Sequence, residues 1–298
     1  MRRLLLSVII LSFVIVSNAQ SKIVVFQSDF GLKDGAVSAM KGVAMGVSPD
    51  LKLYDLTHEI PAYNIWEGSY RLMQTVPYWP EGTVFVSVVD PGVGTSRKSV
   101  VAKTKTGQYI VTPDNGTLTL IAETLGIAEL REIDEAVNRR KNSEQSYTFH
   151  GRDVYAYTGA RLASGVISYE QVGKALPAEP VMISYQKATL SGNVIKGNIP
   201  VLDIQFGNVW TNISAELFNE LRLKPGDKLQ VRIFNNRQKA YEGIMPYFET
   251  FGAVAKGKPL AYLNSLLQLS FALNMGSFAK IHQVSSGSAW SVEVSKAN

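Results

Sequence analysis

Apolar positions along the chain fall into two rhythms. In the first half, short β-branched runs alternate with longer amphipathic stretches. Residues 23–26 (IVVF), 51–56 and 83–89 (TVFVSVV) read as buried strands, because continuous apolar runs of about four to eight residues suit strands covered on both faces. Residues 35–47, 64–76, 118–125 and 151–163 carry helical spacing, while 99–103 and 109–111 read as a hairpin around Thr106-Gly107. Strands alternating with helices predict an N-terminal α/β sandwich with a mainly parallel sheet. Near residue 180 the rhythm changes. Segments 182–185, 192–200, 229–233 and 239–244 are short and alternating, with turns at Asn235-Asn236 and Lys224-Pro225-Gly226-Asp227. They predict a small antiparallel β-barrel domain. The boundary falls between 180 and 195, giving domains over 20–188 and 189–298.

The extreme N-terminus fits neither rhythm. Arg2 and Arg3 precede an apolar run over 4–16 (LLLSVIILSFVIV), and Ser17-Asn18-Ala19 follow. A charged start, a short apolar stretch and a small-residue exit describe a cleavable signal peptide over 1–19, ending at Ala19. The run is shorter than the roughly 20 residues a membrane-spanning helix needs. The expected mature protein is therefore exported, periplasmic and free of the membrane.

Composition removes several chemistries. A charged fraction of 18% with 46% hydrophobic residues belongs to a folded chain. With no cysteine there is no disulfide, thiolate metal site, cysteine nucleophile or lipid attachment point. The net charge of +5 includes the two leader arginines, and no basic run supports a nucleic-acid partner. Only His58, His150 and His282 are present, without paired spacing, so no metal is expected. Residues 252–258 (GAVAKGK) imitate a phosphate loop, but Pro259 stands where a metal-binding hydroxyl is needed. After Gly92-Val93-Gly94, Arg97 replaces the third glycine of a dinucleotide fingerprint.

The remaining polar clusters lie at strand ends, where open α/β sheets bind ligands. Asp29 follows the first strand; it could accept two ribose hydroxyls or cap the helix near Gly35. Asp90 and Arg97 bracket a glycine-rich loop after the third strand, either as active groups or as an ion pair closing the loop. His150 stands at a helix start beside Gly151, a position equally suited to capping. Around Asn208 and Trp210 the chain could stack a flat ring or simply turn.

Six clusters occur in one order: Ser28-Asp29-Phe30-Gly31, Asp90-Pro91-Gly92-Val93-Gly94-Thr95 with Arg97, Pro113-Asp114-Asn115-Gly116, Phe149-His150-Gly151-Arg152-Asp153, Phe206-Gly207-Asn208 and Leu263-Asn264-Ser265. In that order the chain resembles the S-adenosyl-L-methionine hydroxide adenosyltransferase family, relatives of the adenosyl fluoride and chloride synthases, from about residue 22 to 290. The resemblance implies an α/β domain, a β-barrel domain and a homotrimer with active sites between subunits. It implies hydrolysis of S-adenosylmethionine to adenosine and L-methionine, without a further cofactor. The family triad falls on Asp90, Arg97 and His150. Substrate positions fall on Asp29 at the ribose, and on Asp34, Asp203 and Ser265 at the methionine end. Tyr63 and Phe248 fall at aromatic positions near the nucleoside, Asn208 at the adenine edge, and Phe206 and Gly151 at further substrate-binding positions. Where the fluoride synthase has a tyrosine and a halide-binding serine, this chain has Asp90 and Gly151, which favours hydrolysis over halogenation. The arginine that grips the amino-acid carboxylate in the halogenases falls at Leu266. An exported nucleoside-binding protein, or a hydrolase of another 5′-activated adenosine, is the alternative.

Overall fold

The computed structural model describes residues 21–297, so the predicted signal peptide over 1–19 lies outside the described residues. Strands β1 (Ile23–Ser28), β2 (Lys52–Thr57), β3 (Val84–Val88) and β5 (Tyr109–Pro113) run parallel in the order β2-β1-β3-β5. Antiparallel strands β4 (Ser99–Thr104), β6 (Ile127–Glu132) and β7 (Ala175–Leu176) extend the same seven-stranded sheet beyond β5. The strand period of two divides each apolar run between two layers. Val24 and Phe26 join a core with Val37, Met40 and Ala44 of helix α1 (Ala36–Val47) and Ala160 and Leu162 of α5 (Tyr157–Ser164). Val25 faces the other way, with Leu72 of α2 (Ile65–Thr75) and Ile121 of α3 (Thr119–Thr124). Asn64 starts α2 by accepting the Glu67 amide at 3.0 Å, so the predicted helix begins where its cap stands.

The C-terminal region holds two antiparallel sheets. One has the order β10 (Val201–Asp203), β11 (Asn208–Ser214), β15 (Gln268–Leu273), β14 (Pro259–Leu263). The other runs β13 (Gln238–Pro246), β12 (Lys228–Asn235), β16 (Trp290–Lys296), β9 (Val194–Asn198), β8 (Thr189–Ser191). Val209 and Phe271 of the first meet Ile195, Val231 and Val292 of the second in one core. Short helices α6 (Ala215–Asn219) and α7 (Phe278–His282) cover its ends, with Phe218 and Phe278 buried.

Two expectations need correction. The predicted barrel is not closed: the strands form two separate hydrogen-bonded ladders, with an isolated parallel bridge between Tyr247, just past β13, and Ala261 of β14. Residues 182–185 form no strand, because their segment bonds to side chains instead. Asp114 accepts the Val181 amide at 2.8 Å and Thr119 the Ile183 amide at 2.9 Å. The strand expected over 192–200 is the second arm of a hairpin that turns at Gly192. Among the described residues no helix is long and apolar enough to cross a membrane.

Candidate active site

Asp90 sits two residues beyond β3, and Asn115 fixes its approach by donating to the Val89 carbonyl at 2.9 Å. The loop then folds back on itself. Val93 N–H reaches the Asp90 carbonyl and Thr95 the Gly92 carbonyl, while Gly94 has φ +77°. A Cβ at residue 94 would lie 3.0 Å from the Tyr147 carbonyl oxygen, so both the conformation and the close approach require glycine. This turn returns Arg97 to Asp90. Nε donates to Oδ1 at 2.9 Å and Nη2 to Oδ2 at 2.5 Å, a fork-to-carboxylate pair. Nη1 donates to Ser99 Oγ at 2.9 Å. The Arg97 and Asp90 side chains are only 11% and 5% exposed, so the pair is desolvated as well as bidentate.

His150 enters from another element. It immediately precedes a π-helical turn, Gly151–Ala156, that leads into α5. Its Nδ1 is 3.1 Å from Arg97 Nη2, and its Nε2 is 3.0 Å from Arg139 Nη2. Arg139 follows helix α4 (Glu135–Asn138) and is paired at 2.8 Å with Glu135 one turn earlier. Tyr155 lies edge-on to His150 and donates to Asp90 Oδ2 at 3.4 Å. Burial and the two guanidinium groups push the His150 imidazole below its usual value, against the pull of Glu135 and Asp90. Burial disfavours the Arg97 cation, but Asp90 outweighs this and raises it. Burial also raises the Tyr155 hydroxyl, keeping it protonated. Asp90, Arg97 and His150 thus meet as anticipated, and Glu135, Arg139, Ser99 and Tyr155 complete a network that sequence reading missed. The Glu-x-x-x-Arg spacing was its one visible signal.

The loop after β1 joins this cluster through Phe30, whose ring meets Phe149 edge-on at 5.8 Å. A Cβ at Gly151 would lie 3.1 Å from the Phe30 ring, so glycine lets the two loops touch. Asp29 accepts the Tyr63 amide at 2.8 Å and caps no helix; Asp34 accepts the Ala36 amide at the start of α1. Tyr63 has φ +67° and is 73% exposed. Behind Asp29, buried Ser28 bonds His58 at 2.7 Å, which in turn meets Asp55 at 3.1 Å. Because Ser28 is fully buried, this chain braces the loop and offers no nucleophile.

The remaining positions lie elsewhere on the chain. Asp203, Phe206 and Asn208 surround the β10–β11 turn, where Asn208 donates to Asp203 at 3.1 Å. With Ser265 they line a cavity of about 740 Å³ whose aromatic walls include Trp210, Phe251 and Tyr262. Phe248 is not among the lining residues; it packs on Leu260, Tyr262 and Ala272, and Phe251 supplies a ring instead. A neighbouring cavity of about 570 Å³ brings Asp203, Ser265 and Leu266 together with Thr57 and Arg71 of the N-terminal half. Neither cavity is lined by Asp29, Asp90, Arg97 or His150. Within one chain the charged cluster and the aromatic cavity are therefore separate.

A buried, charge-balanced cluster at the strand ends of an α/β sheet, with a separate aromatic cavity, defines a protein built to act on a flat polar small molecule. Residues 24–173 match the model of the SAM hydroxide adenosyltransferase N-terminal domain, and residues 197–291 that of the C-terminal domain. The chain belongs to the SAM hydroxide adenosyltransferase family. It is 39% identical to an (R)-S-adenosyl-L-methionine hydrolase of Methanocaldococcus jannaschii, over 71% of this chain and 73% of that protein. A fluorinase of an Actinoplanes species is more distant, 28% identical over 89% of this chain and 95% of its own. The crystal structure of a conserved Thermotoga maritima protein superposes with a TM-score of 0.83 at 36% identity, over 92% of this chain and 100% of the other.

Proposed function

We propose that the protein hydrolyses S-adenosyl-L-methionine to adenosine and L-methionine. The carrying observation is the desolvated Asp90–Arg97–His150 cluster, in a chain related to named hydrolases. An oxygen nucleophile attacks the ribose C5′ as the C5′–S bond breaks, and the electron pair leaves with sulfur as a neutral thioether. No acid is needed for such a leaving group. The demand falls on the nucleophile, and a fixed guanidinium favours the anionic form of a water beside it. Alignment behind C5′ at about 3 Å supplies much of the remaining acceleration. Asp29 takes the ribose and Asn208 the adenine edge, with Phe206, Trp210 and Phe251 as the aromatic walls. Asp203 meets the methionine ammonium. Arg71, which lines the same cavity as Asp203, Ser265 and Leu266, takes over the carboxylate that Leu266 cannot hold.

The separation of the Asp90 cluster from the Asp203 cavity within one chain supports a homotrimer in which one subunit's cluster faces another's cavity. The separate cores support a division into domains over 20–188 and 189–298. The leader pattern supports export to the periplasm. Incubating the mature protein with S-adenosylmethionine should release adenosine and methionine in equal amounts. Adenosine binding without product would instead favour the exported nucleoside-binding reading.

A further inference from the structure

A neutral imidazole has one ring nitrogen that donates and one that accepts. His150 faces a guanidinium donor at each: Arg97 Nη2 at 3.1 Å on Nδ1 and Arg139 Nη2 at 3.0 Å on Nε2. Both arginines are anchored against rearrangement. Arg97 is forked onto Asp90, and Arg139 is held by Glu135 and by the Ser146 carbonyl at 3.2 Å. Whichever ring nitrogen carries the proton, the other already accepts from an arginine. No lone pair is left for a proton from water. A doubly protonated ring would set two N–H groups against two guanidinium donors.

We propose that Arg139 is a further positioning residue of the reaction: together with Arg97 it brackets His150, holds the imidazole neutral, and makes it a hydrogen-bond donor to the attacking oxygen instead of its base. This rests on the hydrolase reading and deepens it. The ring N–H that faces an arginine lacks an acceptor, and an oxygen seated beside both donors would supply one. The oxygen then enters as hydroxide, its proton left in the solvent, and the C5′–O bond forms as the C5′–S bond breaks. The charged and titratable groups around His150 are Arg97 and Asp90 from the loop after β3, Glu135 and Arg139 from α4 and its end, and Tyr155 from the π-helical turn. The lowered imidazole agrees with the bracket.

The test follows the His150 ring nitrogens by NMR in full-length mature protein labelled with ¹⁵N-histidine, alongside the pH dependence of kcat. In the wild type the ring should stay neutral well below pH 6.5, and kcat should show no acid limb from His150. Arg139→Met should raise the titration midpoint by about one pH unit, as removal of a neighbouring like charge does. It should also introduce an acid limb at that midpoint, and Arg139→Lys should restore the wild-type behaviour. A wild-type His150 titrating at or above 6.5, or a midpoint unmoved in Arg139→Met, would overturn the inference. The wild-type titration alone is decisive should the methionine variant not fold. Because the NMR readout needs no turnover, a neutral ring in a protein inert toward S-adenosylmethionine would sink the hydrolase reading and leave the bracket standing. Turnover with a readily protonated ring would do the reverse.

Discussion

In the cluster beyond β3 the polar side chains are already engaged with one another: Arg97 on Asp90, Arg139 on Glu135, and the His150 ring between the arginines. Around the β10–β11 turn, the polar groups face an open cavity, and Phe206 stands 65% exposed. The first arrangement suits chemistry, since dipoles fixed before the substrate arrives need no reorganisation during the reaction. The second suits recognition, since flat apolar walls gain from being covered only when a ligand or another subunit arrives. On the proposed reading the chemistry sits wholly in the α/β region, while recognition draws on the β10–β11 cavity together with Asp29 and Arg71.

Breaking the first region should have the largest effect. Arg97→Ala is expected to lower kcat by roughly 10²–10⁴-fold while changing adenosine affinity little. It should also destabilise the protein by about 3–5 kcal/mol, because Asp90 is left buried and unpaired. Product assays and calorimetry read the two effects, and equal losses of turnover and affinity would make the cluster merely structural. On the recognition side, Asn208→Ala should cost about 1–3 kcal/mol of binding, visible as a raised KM with kcat nearly kept. A selective fall in kcat would place Asn208 in the chemistry and erase the division. Arg71→Met sharpens the same boundary. It should raise KM for S-adenosylmethionine about tenfold, one lost ion contact of roughly 1.4 kcal/mol, and leave adenosine binding unchanged. Loss of adenosine binding would instead make Arg71 part of the scaffold.

The smallest effect concerns the bracing behind Asp29. Burial lowers the His58 imidazole below its usual value, although Asp55 pulls it upward. The folded state thus prefers neutral His58, so stability is full above pH 6.5 and is lost as pH falls through the lowered value. The thermal midpoint should drop by a few degrees from pH 7.5 to 5.5, and His58→Gln should flatten that slope to the share contributed by His150 and His282, which burial also lowers. A slope unchanged in the variant would show that His58 is braced without being desolvated.

Legibility in the sequence followed the density of local information. Strands β1 and β3 are buried on both faces, so their composition announced them. β6, with the pattern IAELRE, alternates poorly and gave no such signal. Whether the C-terminal strands close into a barrel depends on which edges pair over long distances, and a local alternation of residues carries no record of that. The Asp90, Arg97 and His150 positions were readable because glycines and charges cluster tightly around them. Arg139 lies among charged residues that resemble a solvated surface, yet its side chain is only 9% exposed. Phe248 and Phe251 lie three residues apart, and no periodicity there tells which ring faces the cavity.

The wide turn after His150 can be viewed as a problem of phase. An α-helix advances about 100° per residue, and a π-helical turn holds one residue more per hydrogen-bonded loop. Between His150 and α5 the chain therefore carries an angular offset of one step. That offset lets the imidazole address the arginines while Ala160 and Leu162 still face the sheet. Deleting one residue from this turn would rotate the reactive end of the helix away from the face that holds it.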